Sequence, residues 1–299
     1  MTSTQLHNTR LFGQVVREQF RATALSLRTY AIVGAALGAL ATFLAFADYF
    51  YRGVGTEFAP MMSLIPGFAG VILPMVLWQR ERQFGAGFFW TLPVDRSRHA
   101  FAKVFAGWLC LMIPTAAFVL WLLVLALITK GNLSSDEIVR VLPTPIEPPT
   151  GTLDPSMLHT VRWIPDKAFW FVPFTAATAT YVLVSGIMLG LRHPFRWIIG
   201  AAAGIFLIAA VGQGIGDDAF WIKMQSVVEP LVSGPYGLDA VLSARSESLH
   251  TQIILSNADR ATVWLALPVV RDWIIATLLW TGLGTAGLCA ALFRHRERR

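Results

Sequence analysis

The sequence predicts an all-α integral membrane protein with six transmembrane helices, and three observations carry the prediction. Hydrophobic residues make up 55% of the 299 residues and charged ones only 14%, with a mean hydropathy of +0.57. Soluble domains carry about 25% charge. The apolar residues are also gathered into runs long enough to cross about 30 Å of hydrocarbon. Finally, the basic residues collect at the ends of those runs, on alternate sides of them.

The first element precedes any span. Over residues 8–28, at about 100° per residue, Arg10, Arg17, Arg21 and Arg28 fall on one side of a helix, with Phe12, Val16, Phe20 and Leu27 on the other. Such an amphipathic helix is expected to lie in the plane of the cytoplasmic leaflet. Residues 31–47 form the first span. Ala45-Phe46-Ala47 imitates a signal-peptide cleavage site, but the leader is too long for an ordinary n-region and more spans follow, so an uncleaved anchor is expected.

The other spans are 61–78, 104–129, 168–191, 197–216 and 274–293. Pro66, Pro74 and Pro114 lie within the second and third and are expected to kink them. Arg192-His193-Pro194-Phe195-Arg196 makes a tight turn between the fourth and fifth, with Pro194 at a helix start. The two long segments, 130–167 and 217–273, fall outside. The first is rich in proline and is expected to be extended and irregular. The second holds apolar pieces too short to span, Ala219–Val232 and Val263–Val269, which suit re-entrant or interfacial helices or an ordered loop. No internal repeat and no separate soluble domain is evident.

Charge fixes the expected orientation. With the N-terminus inside, 15 of the 24 Lys and Arg residues fall on the cytoplasmic side, while 14 of the 18 acidic residues fall outside. Both termini are therefore expected in the cytoplasm. The basic balance serves topology, and no nucleic-acid partner is expected from it.

The chemistry of the chain is marked by what it lacks. Cys110 and Cys289 lie inside apolar runs, which offers no disulfide framework or thiol metal site. No phosphate-binding Gly-x-x-x-x-Gly-Lys-Ser/Thr loop occurs, and the six dispersed histidines include no His-Glu-x-x-His pair. No catalytic, cofactor or metal residues are expected. Ser185-Gly186 could pass for an intramembrane nucleophile, but no histidine sits in any span to serve as its base, so Ser185 reads as a packing residue. The six spans contain no Asp, Glu, Lys, Arg or His at all. Ion- and proton-coupled carriers place such groups at membrane depth, so energy for any transport is expected to enter elsewhere.

Small residues recur at four-residue spacing, at Gly34/Gly38, Gly186/Gly190, Gly200/Gly204 and Gly282/Ala286, and suit close helix packing within the bundle or across a dimer. Trp78, Trp90, Trp163, Trp170, Trp197 and Trp273 fall near span ends and read as a headgroup belt. Trp121 and Trp280 lie deeper, as packed or lipid-facing indoles or as part of a substrate path.

The most distinctive stretch is the basic island 79–103 between the second and third spans. Arg80, Arg82, Arg96, Arg98 and Lys103 stand there against only Glu81 and Asp95. Phe84 and Phe88 are one helical turn apart, and Phe89 widens their face. Leu92-Pro93 ends that helix, and Asp95 is placed to cap the next. A short amphipathic helix in this position fits either a groove on a partner or the lipid headgroup layer.

Together these features resemble the permease subunit of a type-2 ABC transporter. The resemblance rests on the amphipathic leader, the six spans, Arg80-Glu81-Arg82-x-x-Gly85 after the second span, and Leu92-Pro93-Val94-Asp95-Arg96 to Lys103 leading into the third. It implies a bacterial inner-membrane subunit, most simply an exporter, that pairs with a second permease copy or homologue and sits on two separate ATPase subunits. Glu81, Arg82, Phe84, Gly85, Phe88 and Phe89 would then form the ATPase-coupling helix, and Gly34/Gly38 and Gly200/Gly204 would meet the partner permease. The segment before the sixth span would be a re-entrant gate. The outer loop 130–167 is longer than a minimal member needs. A reading from another class is a membrane anchor or assembly factor that binds a partner through the same island and moves no solute.

Overall fold

The long apolar runs become long helices. The computed structural model describes residues 3–56, 60–79, 96–131, 137–142, 156, 158–191, 193–214, 219–244, 250–254 and 260–297. Helices α1 (Ser3–Ser26) and α2 (Arg28–Arg52) are followed by a 3-10 turn, Pro60–Ser63, and then α3 (Leu64–Gln79) and α4 (Arg96–Ile128). Strands β1 (Glu137–Val141) and β2 (His159–Trp163) lead to α5 (Val172–Gly190) and α6 (Pro194–Gly214). After these come α7 (Ala219–Val232), α8 (Leu238–Ser243), strands β3 (His250–Ile254) and β4 (Arg260–Trp264), and α9 (Val270–Glu297). Among the described residues four helical stretches are long and apolar enough to cross a membrane: Arg28–Arg52, Ala100–Ile128, Lys167–Gly190 and Val270–Phe293. The chain has the build of a multi-pass membrane protein.

Helix α5 is the central post. It packs against α3 on one side and α9 on another, with α4 and α8 completing its surround. Small residues make these approaches close, as they do wherever helices meet in lipid. At Gly70 of α3 a Cβ would collide with the Thr180 side chain and lie 2.6 Å from the Ala177 carbonyl oxygen. Thr180 Oγ1 also donates to the Gly67 carbonyl at 3.0 Å. On the other flank, Gly186 of α5 meets the α9 backbone at Gly284, Gly287 and Leu288, and Gly284 meets Leu183. The expected Gly186/Gly190 pair is therefore an intramolecular seam, with Gly190 against Ala291. The expected Gly282/Ala286 pair does not show the same contact: α9 meets α5 at Gly284, Gly287, Leu288 and Ala291, while no described atom lies within 4 Å of a Cβ added at Gly282.

The contacts also give the helices their directions. Tyr181 of α5 donates to the Val104 carbonyl of α4 at 2.8 Å, and Trp108 donates to Thr178 at 3.1 Å, so α4 and α5 are antiparallel. Gly67 and Gly70 advance along α5 as α5 advances, so α3 and α5 are parallel, as are α5 and α9. Trp121 donates to Thr42 at 2.9 Å, and the Thr56 N–H to Thr129 Oγ1 at 2.8 Å, so α2 and α4 run together. Helices α2 and α4 thus point one way, and α3, α5 and α9 the other.

Pro66 lies in the first turn of α3, where its missing N–H has no intrahelical acceptor to lose, while Pro74 and Pro114 sit inside α3 and α4. The leader helix α1 packs against α4, with Thr23 buried and Cys110 Sγ 3.9 Å from the Phe20 carbonyl oxygen. Its exposed Arg17 and Arg21 and half-buried Val16 and Phe20 follow the expected two faces. The side chains of Arg10 and Phe12 lie outside the described residues.

The structure departs from an all-α fold on one side. The stretch 130–167 is not irregular throughout: β1 and β2 pair antiparallel, β3 and β4 do the same, and β1 joins β4 in parallel to give the order β2-β1-β4-β3. The two described strands of this segment contain no proline, and Ile138, Val139, Val141 and Val161 supply the β-branched residues that pleated strands favour. The sheet joins both long segments, and Val139, Trp163, Phe169, Val172, Ala244, Trp264 and Trp273 form a core beneath it. Trp163 and Trp273, with Trp78 in the helical bundle, are therefore packed inside the protein and do not form a headgroup belt, whereas Trp197 is 66% exposed. Trp90 lies outside the described residues.

Candidate functional site

The site is built from the two flanks of the island. At one flank, the last turn of α3 carries Leu77 and Trp78, both buried. At the other, α4 begins at Arg96, eight residues before the apolar run, so the end of the island is the first two turns of α4. Ala100 and Val104, one turn apart on one face of that start, are buried in the helical core, and Ala102 is buried on another face. Leu189 at the end of α5, Phe195 and Ile198 of α6, Ala291 and Leu292 of α9, and Leu27 between α1 and α2 belong to the same apolar cluster as Trp78 and Ala100. Both flanks of the segment 80–95 are thus seated in one buried cluster that includes residues of α3, α4, α5, α6 and α9.

One cation is part of that layer. Lys103 is only 6% exposed, and its Nζ lies 4.8 Å from the centroid of the Trp78 ring. An ammonium over an indole face is held by the ring quadrupole, and the interaction strengthens as water is excluded. The pair ties the last turn of α3 to the start of α4 at the mouth of the island. The sequence places Trp78 and Lys103 as membrane-interface markers at two span ends. Their pairing depends on how α3 and α4 pack, which the 25-residue separation hides.

Glu81, Arg82, Phe84, Gly85, Phe88 and Phe89 lie outside the described residues. The four glycines expected to face a partner permease are within them, and among the described residues nothing lies within 4 Å of a Cβ added at Gly34, Gly38, Gly200 or Gly204. Helix α2 is exposed along its length, with Ile32, Val33, Leu37, Leu40, Phe43 and Leu44 all open. Its ties to the bundle are the Thr42–Trp121 bond and the close backbone approach of Gly55 and Thr56 to Thr129 and Gly131.

The deep tryptophans have structural partners. Trp121 anchors α2 to α4, and Trp280 of α9 donates to the Tyr236 carbonyl at 3.0 Å in the turn between α7 and α8. Helix α8 is itself held between helices: Ala240 and Val241 are buried in a cluster with Ala179 of α5 and Ala276 of α9. Leu242 reaches Gly67 of α3. Helix α7 matches the expected piece Ala219–Val232 and packs on α6, whereas Val263–Val269 is a strand end and a bend. Ser185 is fully buried in the α5 core, the setting of a packing serine. Among the described residues no group of three or more His, Cys, Asp or Glu could hold a metal ion.

Comparison with known proteins returns no matching family model, no matching curated protein and no matching solved structure.

Proposed function

We propose that this chain is the membrane-spanning permease subunit of an ATP-driven ABC exporter in the bacterial inner membrane, working beside a second permease on two separately encoded ATPase subunits. The observation that supports this most is the seating of both flanks of the segment 80–95. A force applied there reaches α3 through Trp78 and α4 through Ala100 and Lys103, and the same buried cluster passes it to α5, α6 and α9. An amphipathic segment on such a base is fitted to transmit motion. The apolar runs themselves (31–47, 61–78, 104–129, 168–191, 197–216 and 274–293) carry no Asp, Glu, Lys, Arg or His, so an external source of free energy is the consistent partner.

In this reading six helices cross the membrane with both termini in the cytoplasm. The 3-10 turn and α3 together cover 60–79, about 32 Å at the usual rises, and α6 runs for 21 residues. The directions of α2 and α4 against α3, α5 and α9 agree with alternate crossings in chain order. Gly34 and Gly38 of α2 and Gly204 of α6, all open, face the second permease. Helices α7 and α8 and the sheet close the outer side, with α8 wedged between α3, α5 and α9 as the movable piece of the outer gate. The transported compound is of the class that an uncharged path admits, apolar or amphipathic.

The test is hydrolysis by a reconstituted complex. The purified chain alone is expected to hydrolyse no ATP above background. Together with its ATPase it is expected to do so, with stimulation by an amphipathic transported compound. Hydrolysis by the isolated chain would overturn the reading. Assembly with an ATPase that responds to no compound across a broad panel would favour a membrane anchor instead.

A further inference from the structure

At the start of α6 the chain forms an open concavity of about 640 Å³, lined by His193, Arg196, Trp197, Gly200 and Ala201. We propose that it holds the headgroup of an anionic phospholipid drawn from the cytoplasmic leaflet, with the first acyl carbons lying over Gly200 and Ala201. This rests on the cytoplasmic orientation of the 192–196 turn in the reading above, and not on the ATPase.

The local structure explains how such a site arises. Pro194 is buried, and Phe195 and Ile198 pack onto the helical core, which fixes the rotation of the first turns of α6. The opposite side of those turns is then open. Arg196 and Trp197 are exposed there, and His193 is exposed just before the helix. Neither Arg196 nor His193 pairs with a carboxylate among the described residues. Gly200 has no side chain and nothing within 4 Å of where one would project, so the floor of the concavity is open.

Charge and shape select the occupant. A guanidinium with no carboxylate partner among the described residues, beside an indole at the level where basic pockets meet lipid headgroups, favours a phosphate. The concavity is about twenty water volumes in size, more than an inorganic phosphate fills. Beyond Ala201 the helix carries no ionisable side chain as far as Gly214. A soluble anion gains nothing from that wall, whereas an acyl chain does. A second copy of the chain laid over Gly200 at this level would strip water from Arg196, which is costly unless one of its own carboxylates meets the guanidinium. Gly204, one turn further, stays available to the partner permease.

The experiment uses the full-length protein in a neutral detergent, with bound lipid counted by native mass spectrometry. Dioleoyl phosphatidylglycerol, dioleoyl phosphatidylcholine and glycerol 3-phosphate are the three probes. Retention of one phosphatidylglycerol per chain is expected, at least tenfold tighter than phosphatidylcholine, with no competition from millimolar glycerol 3-phosphate. Arg196→Gln and, separately, Gly200→Leu are each expected to weaken phosphatidylglycerol at least tenfold. Arg17→Gln, on the exposed face of α1, should leave it within twofold. Thermal melting of each variant checks the fold.

Equal retention of the two lipids would overturn the proposal, as would undiminished binding in a folded Arg196→Gln variant. Competition by glycerol 3-phosphate at lipid-like concentration would show a site for a soluble phosphate instead. If Gly200→Leu abolished permease pairing yet kept the lipid, a second copy would be the occupant.

Discussion

The close approach of α3 to α5 yields a graded prediction from three glycines that look alike in sequence. Gly70→Ala places a Cβ against Thr180 Oγ1, 2.6 Å from the Ala177 carbonyl oxygen and 3.2 Å from the Tyr181 nitrogen. Two of these are backbone atoms that no rotamer change can move. Ordinary contact begins at 3.4 Å, so the helices must part by roughly 0.8 Å, enough to forfeit a quarter to a half of the dispersion energy across the seam. The parting also stretches the Thr180 bond to the Gly67 carbonyl, now 3.0 Å. Overpacking of this kind costs about 1–3 kcal/mol, and the weakened hydrogen bond argues for the upper half of that range. Gly67→Ala is crowded by the flexible end of Leu242, at 2.7 Å, and meets Ala176 Cβ at an ordinary 3.9 Å, so it should cost less than about 1 kcal/mol. Gly34→Ala meets nothing and should be neutral or gain up to about 1 kcal/mol of helix preference in the monomer. The assay is unfolding of the purified monomer in mixed micelles as the fraction of dodecyl sulfate rises. Equal costs at the three sites, or a neutral Gly70→Ala, would refute the packing argument.

Three further outcomes are expected. Tyr181→Phe removes the buried bond to the Val104 carbonyl and leaves that acceptor to its helix alone, for a loss of about 1 kcal/mol in the same unfolding assay. Lys103→Met keeps the stem of the side chain and removes the charge above Trp78. It should change stability by about 1 kcal/mol or less, yet lower ATPase stimulation in the complex several-fold, because the tie between α3 and α4 is loosened at the island. Single cysteines replacing Ser97 or Arg298 should react with an impermeant maleimide only from the cytoplasm, and those replacing Ser134 or Ser246 only from outside; the reverse pattern would invert the orientation.

What the sequence carried well is what bulk hydropathy and charge determine. Helices occur at each of the six apolar runs, and four helical stretches among the described residues are long and apolar enough to cross a membrane, where a helix satisfies its own backbone. The boundaries moved outward wherever a helix could continue into water: α2 runs on to Arg52, which pairs with Asp48 at 3.3 Å, and α4 starts eight residues before its apolar run. The sheet was hidden because its strands are five residues long and the 137–141 and 260–264 pieces are more than a hundred residues apart. Proline density drew attention to the connections and away from the β-branched residues between them. The aromatic belt was misjudged at Trp78, Trp163 and Trp273 because a tryptophan near a span end has the same sequence signature whether it faces headgroups or a core. The seating of the island is likewise a tertiary fact, since the Lys103–Trp78 pair joins residues with no local relation.

The central claim is that the segment between α3 and α4 engages an ATPase through Phe88 and Phe89. The most direct measurement is co-purification of the ATPase with the full-length protein, together with transport, for the Phe88→Ala/Phe89→Ala variant and for Phe→Leu at both positions. Apolar anchors of an interface typically cost upward of about 2 kcal/mol each when truncated, so the double alanine variant should lose the ATPase at least thirtyfold while still inserting and folding. Leucine should restore little, because a groove reads ring shape and lipid headgroups do not. Undiminished co-purification and transport by the double alanine variant would contradict the claim.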